Sequence, residues 1–293
     1  MLRIFFKSNY MNIIQSIIIG IVEGVTEFLP ISSTAHMRIV ENLLGISNQD
    51  KFSSVFTVAI QFGAILSVVV LFWKKFFIQR KWNFYFKLAI AVIPALIFGK
   101  LFSEKIDAIL EKPLIIAIIM IAGGVVFLFI ESMFKEHTIH SEENISVLTS
   151  FKIGLFQCLA IIFPGLSRSA ATISGGMSLK LTRAAAAEFS FFLAVPTMAA
   201  ATLYSIFFKN WNIDDAGHAI DSDKITGYQL ITQSVENTTS FIIGNLVAFI
   251  VALFVIKYFI QFLQKHGFKI WGYYRIFVGL LLILLIYKGY IIA

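Results

Sequence analysis

The sequence predicts an all-α polytopic membrane protein with an inverted-topology repeat: six transmembrane helices plus two re-entrant broken-helix hairpins. Three observations carry that prediction. Of 293 residues, 58% are hydrophobic and 14% charged, and several apolar runs exceed the length of a buried core helix and reach that of a bilayer span. A pattern near the N-terminus recurs in the second half: Ile19-Gly20 and Pro30 are matched by Ile153-Gly154 and Pro164, and on that spacing Ser33 aligns with Ser167. Both copies stop an apolar helix at a proline and continue into hydroxyl residues, as broken helices of inverted-repeat membrane proteins do.

The elements follow in order. The first hairpin, 12–46, runs as an apolar helix to Pro30 and returns through Arg38, Glu41 and Asn42, too polar a segment to cross a bilayer. Spans follow at 52–73, at 84–102 with Pro94 inside, and at 113–130. Pro113 suits a first helical position, where its missing N–H costs nothing. These make a first repeat, 1–131; a polar linker, 132–150, leads to the second, 151–293. That half holds a hairpin at 151–181 and spans at 184–208, 241–262 and 270–287.

Lys74, Lys75, Arg80, Lys81 and Lys87 form the densest basic cluster, which places their loop in the cytoplasm. Three spans per half then invert the second hairpin, so the first enters from outside and the second from inside. The 209–237 loop, with Asp214, Asp215, Asp221 and Asp223, falls outside. Basic residues precede the first apolar run, but Glu23 and Pro30 interrupt it, so no removed signal peptide is expected. The single Cys158 excludes an internal disulfide and a thiolate metal cluster. A net charge of +7 suits anionic lipid head groups, and no nucleic-acid partner is expected.

The two breaks concentrate the chemistry. Glu23 and Glu27, four residues apart, share one helix face. A carboxylate in the bilayer core costs roughly 2.5–3.5 kcal/mol, so such acids mark function more often than packing. Ser32, Ser33, Thr34 and His36 follow the first proline; Ser167, Arg168, Ser169 and Thr172 follow the second, where Gln157 and Ile161 replace the acids. An arginine among hydroxyls at a helix start suits a phosphate, through its planar fork and the free backbone N–H groups. Ser32, Ser167, Arg168, Ser169 and Thr172 are therefore the expected phosphate-binding residues. Carboxylates repel phosphate, so Glu23 and Glu27 are expected to hold a divalent cation, Mg²⁺ or Ca²⁺, or to accept protons. Ser33 is the candidate nucleophile, with Glu27 and His36 as acid–base groups and Arg168 as clamp; attack by a metal-activated water fits the same residues. Arg275 and Lys257, near span ends, are expected to snorkel. Gln61 and Glu188 read equally as supports of the site or as satisfied buried polar groups. His137, His140 and His218 lie in polar loops, where solvation is the default.

Glu23–His36 (EGVTEFLPISSTAH) and Pro164–Thr172 (PGLSRSAAT) resemble the two signature motifs of the bacitracin-resistance family of undecaprenyl-diphosphate phosphatases. The first matches Glu/Gln-x-x-x-Glu with its Pro-x-Ser-Ser-Thr-x-His continuation; the second matches Pro-Gly-x-Ser-Arg-Ser-x-x-Thr without departure. Ala59–Val69 and the region Glu188–Pro196 are also similar to the family, so the resemblance spans nearly the whole chain. It implies a multi-pass enzyme of the bacterial inner membrane that hydrolyses a C55 polyprenyl diphosphate lipid to the monophosphate for cell-wall synthesis. It also implies divalent-metal dependence and an active site open to the outer face. A second copy of the chain, as a homodimer, is a candidate partner. The alternative is an inverted-repeat transporter or flippase of polyprenyl phosphate, since broken helices also build transporters. The Ser33–His36–Glu27 set favours the enzyme, because a transporter needs no nucleophile.

Overall fold

A computed structural model describes residues 11–46, 50–79, 81–102, 112–212 and 224–291. The first half contains α1 (Ile13–Thr26), α2 (Ser33–Leu43), α3 (Lys51–Leu71), α4 (Trp82–Leu101) and α5 (Pro113–Met133). The second contains α6 (Val147–Ile162), α7 (Arg168–Ser178), α8 (Arg183–Leu203), α9 (Gly227–Thr232), α10 (Val235–His266) and α11 (Lys269–Tyr287). Among the described residues, six helices are long and apolar enough to cross a membrane, while α1 and α6 are too short. With Pro30 and Pro164 ending them, α1–α2 and α6–α7 form the two broken hairpins. The fold is thus that of an all-α polytopic membrane protein.

Local detail repeats between the halves. Asn12 caps α1 by accepting from the Gln15 N–H, and Ser146 caps α6 by accepting from the Thr149 N–H. Each of α3 and α8 runs 21 residues and is followed by one π-helical turn, at Lys74–Ile78 and Tyr204–Phe208. Packing crosses between halves: α1 lies on α10 and α6 lies on α4, while α5 pairs with α11 and α3 with α8. The glycines matched in the sequence sit at these crossings. A methyl on Gly20 would stand 2.7 Å from the Gly244 carbonyl of α10, and one on Gly154 would fall on the Ala91 carbonyl of α4. Without a hydrophobic drive between helices in lipid, close backbone approach at small residues supplies the attraction.

Polar contacts gather at the two ends of the bundle. At one end Lys75 pairs with Glu188 at 2.7 Å, Arg183 pairs with Glu131, and Lys87 Nζ donates to the Glu143 carbonyl. The Phe268 N–H reaches the same Glu131. At the other end Lys51 Nζ donates to Asn212, Ser240 to the Met11 carbonyl, and Gln15 to the Leu44 carbonyl. Glu188 is thus held by Lys75. The acidic loop residues and His218 lie outside the described residues.

One helix is longer than its apolar run. The expected span 241–262 is the core of α10, which extends over 32 residues from Val235. Ser234 caps its polar start by accepting from the Asn237 N–H, and Asn237 Nδ2 donates to the Leu230 carbonyl of α9. Gly267, at φ +65°, ends it. Capping and the α9 contact thus extend helix into residues that hydropathy alone assigns to a loop.

Cysteines placed at exposed Gln79 and Gln229 are expected to react with an impermeant thiol reagent from opposite faces of the membrane. The native Cys158 is buried and should give no background. Labelling of both from one face would rule out this arrangement of spans.

Candidate active site

Each break turns through a serine in an unusual conformation. Ser32 (φ 72°) and Ser167 (φ 76°) lie in the left-handed region that side chains other than glycine rarely occupy. Each is the N-cap of the returning helix: Ser32 Oγ accepts from the Ala35 N–H and Ser167 Oγ from the Ala170 N–H. The structural equivalent of Ser167 is therefore Ser32, and the expected pairing of Ser33 with Ser167 is off by one. The second break carries one extra residue between Pro164 and its cap, accommodated by Gly165 at φ +101°. That insertion puts Arg168 at the position equivalent to Ser33, the first residue of each returning helix.

Those two residues meet on one carboxylate. Ser33 Oγ donates to Glu27 Oε2 at 2.6 Å, and Arg168 Nη2 donates to Glu27 Oε1 at 3.0 Å. The other arm of the guanidinium, Nη1, reaches the carbonyl and Oγ of Ser190 on α8. Arg168 Nε is buried without a partner. Glu27 and Ser33 are 5% and 8% exposed, so the cluster is largely shielded from bulk solvent. Low polarity around a serine–carboxylate pair strengthens its hydrogen bond.

The remaining expected hydroxyls tie the breaks together. Ser169 Oγ donates to the Leu29 carbonyl, crossing from the second break to the first, and contacts Ser167 Oγ at 2.9 Å. Thr172 Oγ1 lies 2.6 Å from Ser190 Oγ and donates to the Arg168 carbonyl. His36 does not touch Ser33. Its Nδ1 lies 2.8 Å from the Ser32 carbonyl and its Nε2 2.8 Å from the Tyr274 hydroxyl. Gln157, the counterpart of Glu23, bonds Thr197 of α8.

Glu23 is fully buried against Glu27, and neither of its carboxylate oxygens has a hydrogen-bond partner. Two adjacent buried carboxylates require a cation or a shared proton. Glu23 and Glu27 are the residues of this cluster that would hold a hard divalent ion such as Mg²⁺. No group of three or more His, Cys, Asp or Glu with metal-binding geometry occurs among the described residues.

Three participants escaped the sequence reading: Ser190, Tyr274 and Arg275. Far from snorkelling, Arg275 of α11 is 0% exposed. Nη1 donates to the Pro30 carbonyl at 3.1 Å and the Leu166 carbonyl at 2.8 Å; Nη2 donates to the Gly165 carbonyl at 3.0 Å. One guanidinium thus binds the peptide groups freed by both prolines. Gly123 makes room for it, since a methyl there would stand 2.5 Å from Arg275 Nη2. The signal for Arg275 was a charge within an apolar run, but its distance from the span end is a tertiary question.

This geometry defines a class: a helical membrane protein whose two broken hairpins join a serine–carboxylate pair to an arginine between two helix N-termini. Residues 16–281 match the family model described as bacitracin resistance protein BacA. The chain is also 51% identical over 275 residues to undecaprenyl-diphosphatase of Flavobacterium psychrophilum, covering 94% of this chain and 96% of that one. It is 46% identical to the Porphyromonas gingivalis undecaprenyl-diphosphatase, covering 97% and 100% of the two chains. The Enterococcus faecalis undecaprenyl-diphosphatase is 40% identical, covering 94% and 98%. The chain belongs to the BacA family.

Arg275→Met keeps the volume and removes every donor to the breaks. It is expected to destabilise the protein by about 3–5 kcal/mol, because several buried carbonyls lose their partners together. Thermal unfolding in detergent measures this; an unchanged melting temperature would show that the breaks hold without Arg275.

Proposed function

We propose that this chain hydrolyses undecaprenyl diphosphate to undecaprenyl phosphate and inorganic phosphate, recycling the lipid carrier of cell-wall synthesis. The observation that carries this reading is Ser33 Oγ on Glu27 Oε2 at 2.6 Å with Arg168 on the other oxygen, Ser33 opening α2 and Arg168 opening α7. A nucleophile on its base, a planar cation and two sets of free helix N–H groups are what transfer of a phosphoryl group requires.

The terminal phosphate sits between the two N-termini, held by Arg168 and by the backbone N–H groups and hydroxyls at Ser32 and Ser167. Substrate competes with Glu27 for Arg168, leaving that carboxylate with Ser33 alone. Glu27 takes the Ser33 proton as Oγ bonds to the terminal phosphorus and the phosphoanhydride P–O bond breaks, releasing undecaprenyl phosphate. Water then attacks the phosphoserine, giving its proton to His36, and Ser33 recovers its own from Glu27. Ser169 and Thr172 hold the breaks and Arg168 in register. A divalent cation, Mg²⁺ or Ca²⁺, on Glu23 and Glu27 would neutralise charge on the diphosphate. The reading places the protein in the bacterial inner membrane with the site open to the outer face. Its support is the end of the molecule that carries Lys74, Lys75 and Lys81, assigned to the cytoplasm.

Purified protein in detergent is expected to release phosphate from undecaprenyl diphosphate; binding or transfer across vesicles without release would favour a transporter. Ser33→Ala should be nearly inactive while still binding the lipid, and Glu27→Gln should fall at least about 100-fold. Substantial turnover by Ser33→Ala would make a water molecule the nucleophile.

Arg168→Lys preserves charge but loses the fork that spans Glu27 and Ser190. A clamp predicts roughly a 100-fold loss, since misplacing the reacting group by about 1 Å has that effect. Wild-type kinetics across a substrate titration would remove Arg168 from the phosphate site.

A further inference from the structure

His36 is held on both ring nitrogens and on one face. Nδ1 lies 2.8 Å from the Ser32 carbonyl, Nε2 lies 2.8 Å from the Tyr274 hydroxyl, and the two rings stack at 5.7 Å with planes 9° apart. A carbonyl can only accept, so Nδ1 carries the proton. The neutral ring then presents a bare Nε2, which accepts from the phenol. Ser33 is occupied by Glu27, so His36 is committed to another proton. Tyr274 is 38% exposed, which puts the Nε2 side at the accessible edge of the cluster, whereas Arg275, next in sequence, is fully buried beneath the breaks.

We propose that Tyr274 links His36 to the hydrolytic water: the Ser32 carbonyl fixes the Nδ1–H tautomer, and the phenol that donates to Nε2 carries the water proton to it. This assignment rests on the reading of His36 as the acceptor of the water proton. In the second step the water O–H proton passes to the phenol oxygen and the phenol proton to Nε2, as the water oxygen bonds to phosphorus and the Ser33 Oγ–P bond breaks. The phenol oxygen, until then a donor, turns its lone pair to the new Nε2–H, so the imidazolium keeps a partner at each nitrogen. Release of phosphate and return of the proton to solvent restore the phenol as donor. The stacked ring prevents His36 from rotating away between the two states. A single turn of α11 thereby supports both proton chemistry, through Tyr274, and the shape of the breaks, through Arg275.

Tyr274→Phe keeps the stacked ring and removes the hydroxyl. Its kcat for phosphate release is expected to fall about tenfold at unchanged KM, the rate equivalent of one lost hydrogen bond. In a His36→Ala background, itself reduced roughly 100-fold, the same change should cause no further loss. Wild-type kcat in Tyr274→Phe, or the same tenfold loss in both backgrounds, would overturn the assignment. If His36→Ala turns over like wild type, the fault lies with the reading of His36; an impaired His36→Ala beside an unimpaired Tyr274→Phe sinks Tyr274 alone. The imidazole nitrogen NMR spectrum of the wild-type protein tests the tautomer without any change to the site. The His36 signal, identified by its absence in His36→Ala, should show Nδ1 protonated and Nε2 bare; a protonated Nε2 would overturn the proposal.

Discussion

The arrangement depends on a buried arginine, Arg275, whose hydrogen-bond partners among the described residues are backbone carbonyls. The breaks at Pro30 and Pro164 leave backbone carbonyls outside any helix, and a buried carbonyl without a partner costs free energy comparable to a lost hydrogen bond. Arg275 supplies the donors: its guanidinium reaches Pro30, Gly165 and Leu166 at once. Two breaks from opposite halves are thereby tied to one atom group on the last helix. Ser169 adds a second tie by donating to the Leu29 carbonyl. With both in place, Ser32 and Ser167 are held in backbone conformations that would relax if either break were free.

What the breaks then present is asymmetric, although the halves are alike. The first keeps Glu23 and Glu27, and the second has Gln157 and Ile161 at the matching positions. The extra residue at Gly165 shifts the register by one, so a serine on one side faces an arginine on the other across the Glu27 carboxylate. A site with arginine on both sides would leave Ser33 without a base, and one with acids on both sides would repel phosphate. The serine–carboxylate pair thus comes from the first hairpin and the arginine from the second, while the crossings at Gly20 and Gly154 keep the hairpins in corresponding places.

The polar ends carry a different load. Lys75–Glu188 and Arg183–Glu131 lie at one end of the bundle, where solvent and lipid head groups screen them. Pairs there fix the ends of spans relative to each other more than they add stability. The Glu27–Arg168 pair, with side chains 4% and 10% exposed, is of another kind. Its desolvation is offset only while Ser33 and Ser190 supply further hydrogen bonds, so the resting site is poised to exchange one anion for another.

By itself the sequence determined the class of fold and the number of long apolar helices, and it singled out the polar residues that the structure gathers at the two breaks. Hydropathy, two prolines and the intramembrane Glu23, Glu27 and Arg168 are local facts, and local facts survive without a structure. The span ends were less legible, because α10 gains its first turns from a serine cap and from the bond of its Asn237 to Leu230 of α9, neither of which alters hydropathy. Tertiary structure alone decided who partners whom. His36 and Ser33 are three residues apart and look like a pair, yet a partner 238 positions away takes the ring. Arg275 reads as a residue near a span end, and only the crossing of α11 with α5 at Gly123 brings it to the breaks. The physical reason is the same in each case: hydrogen-bond partners at membrane depth are chosen by which helices cross, and crossing is not written in any one segment.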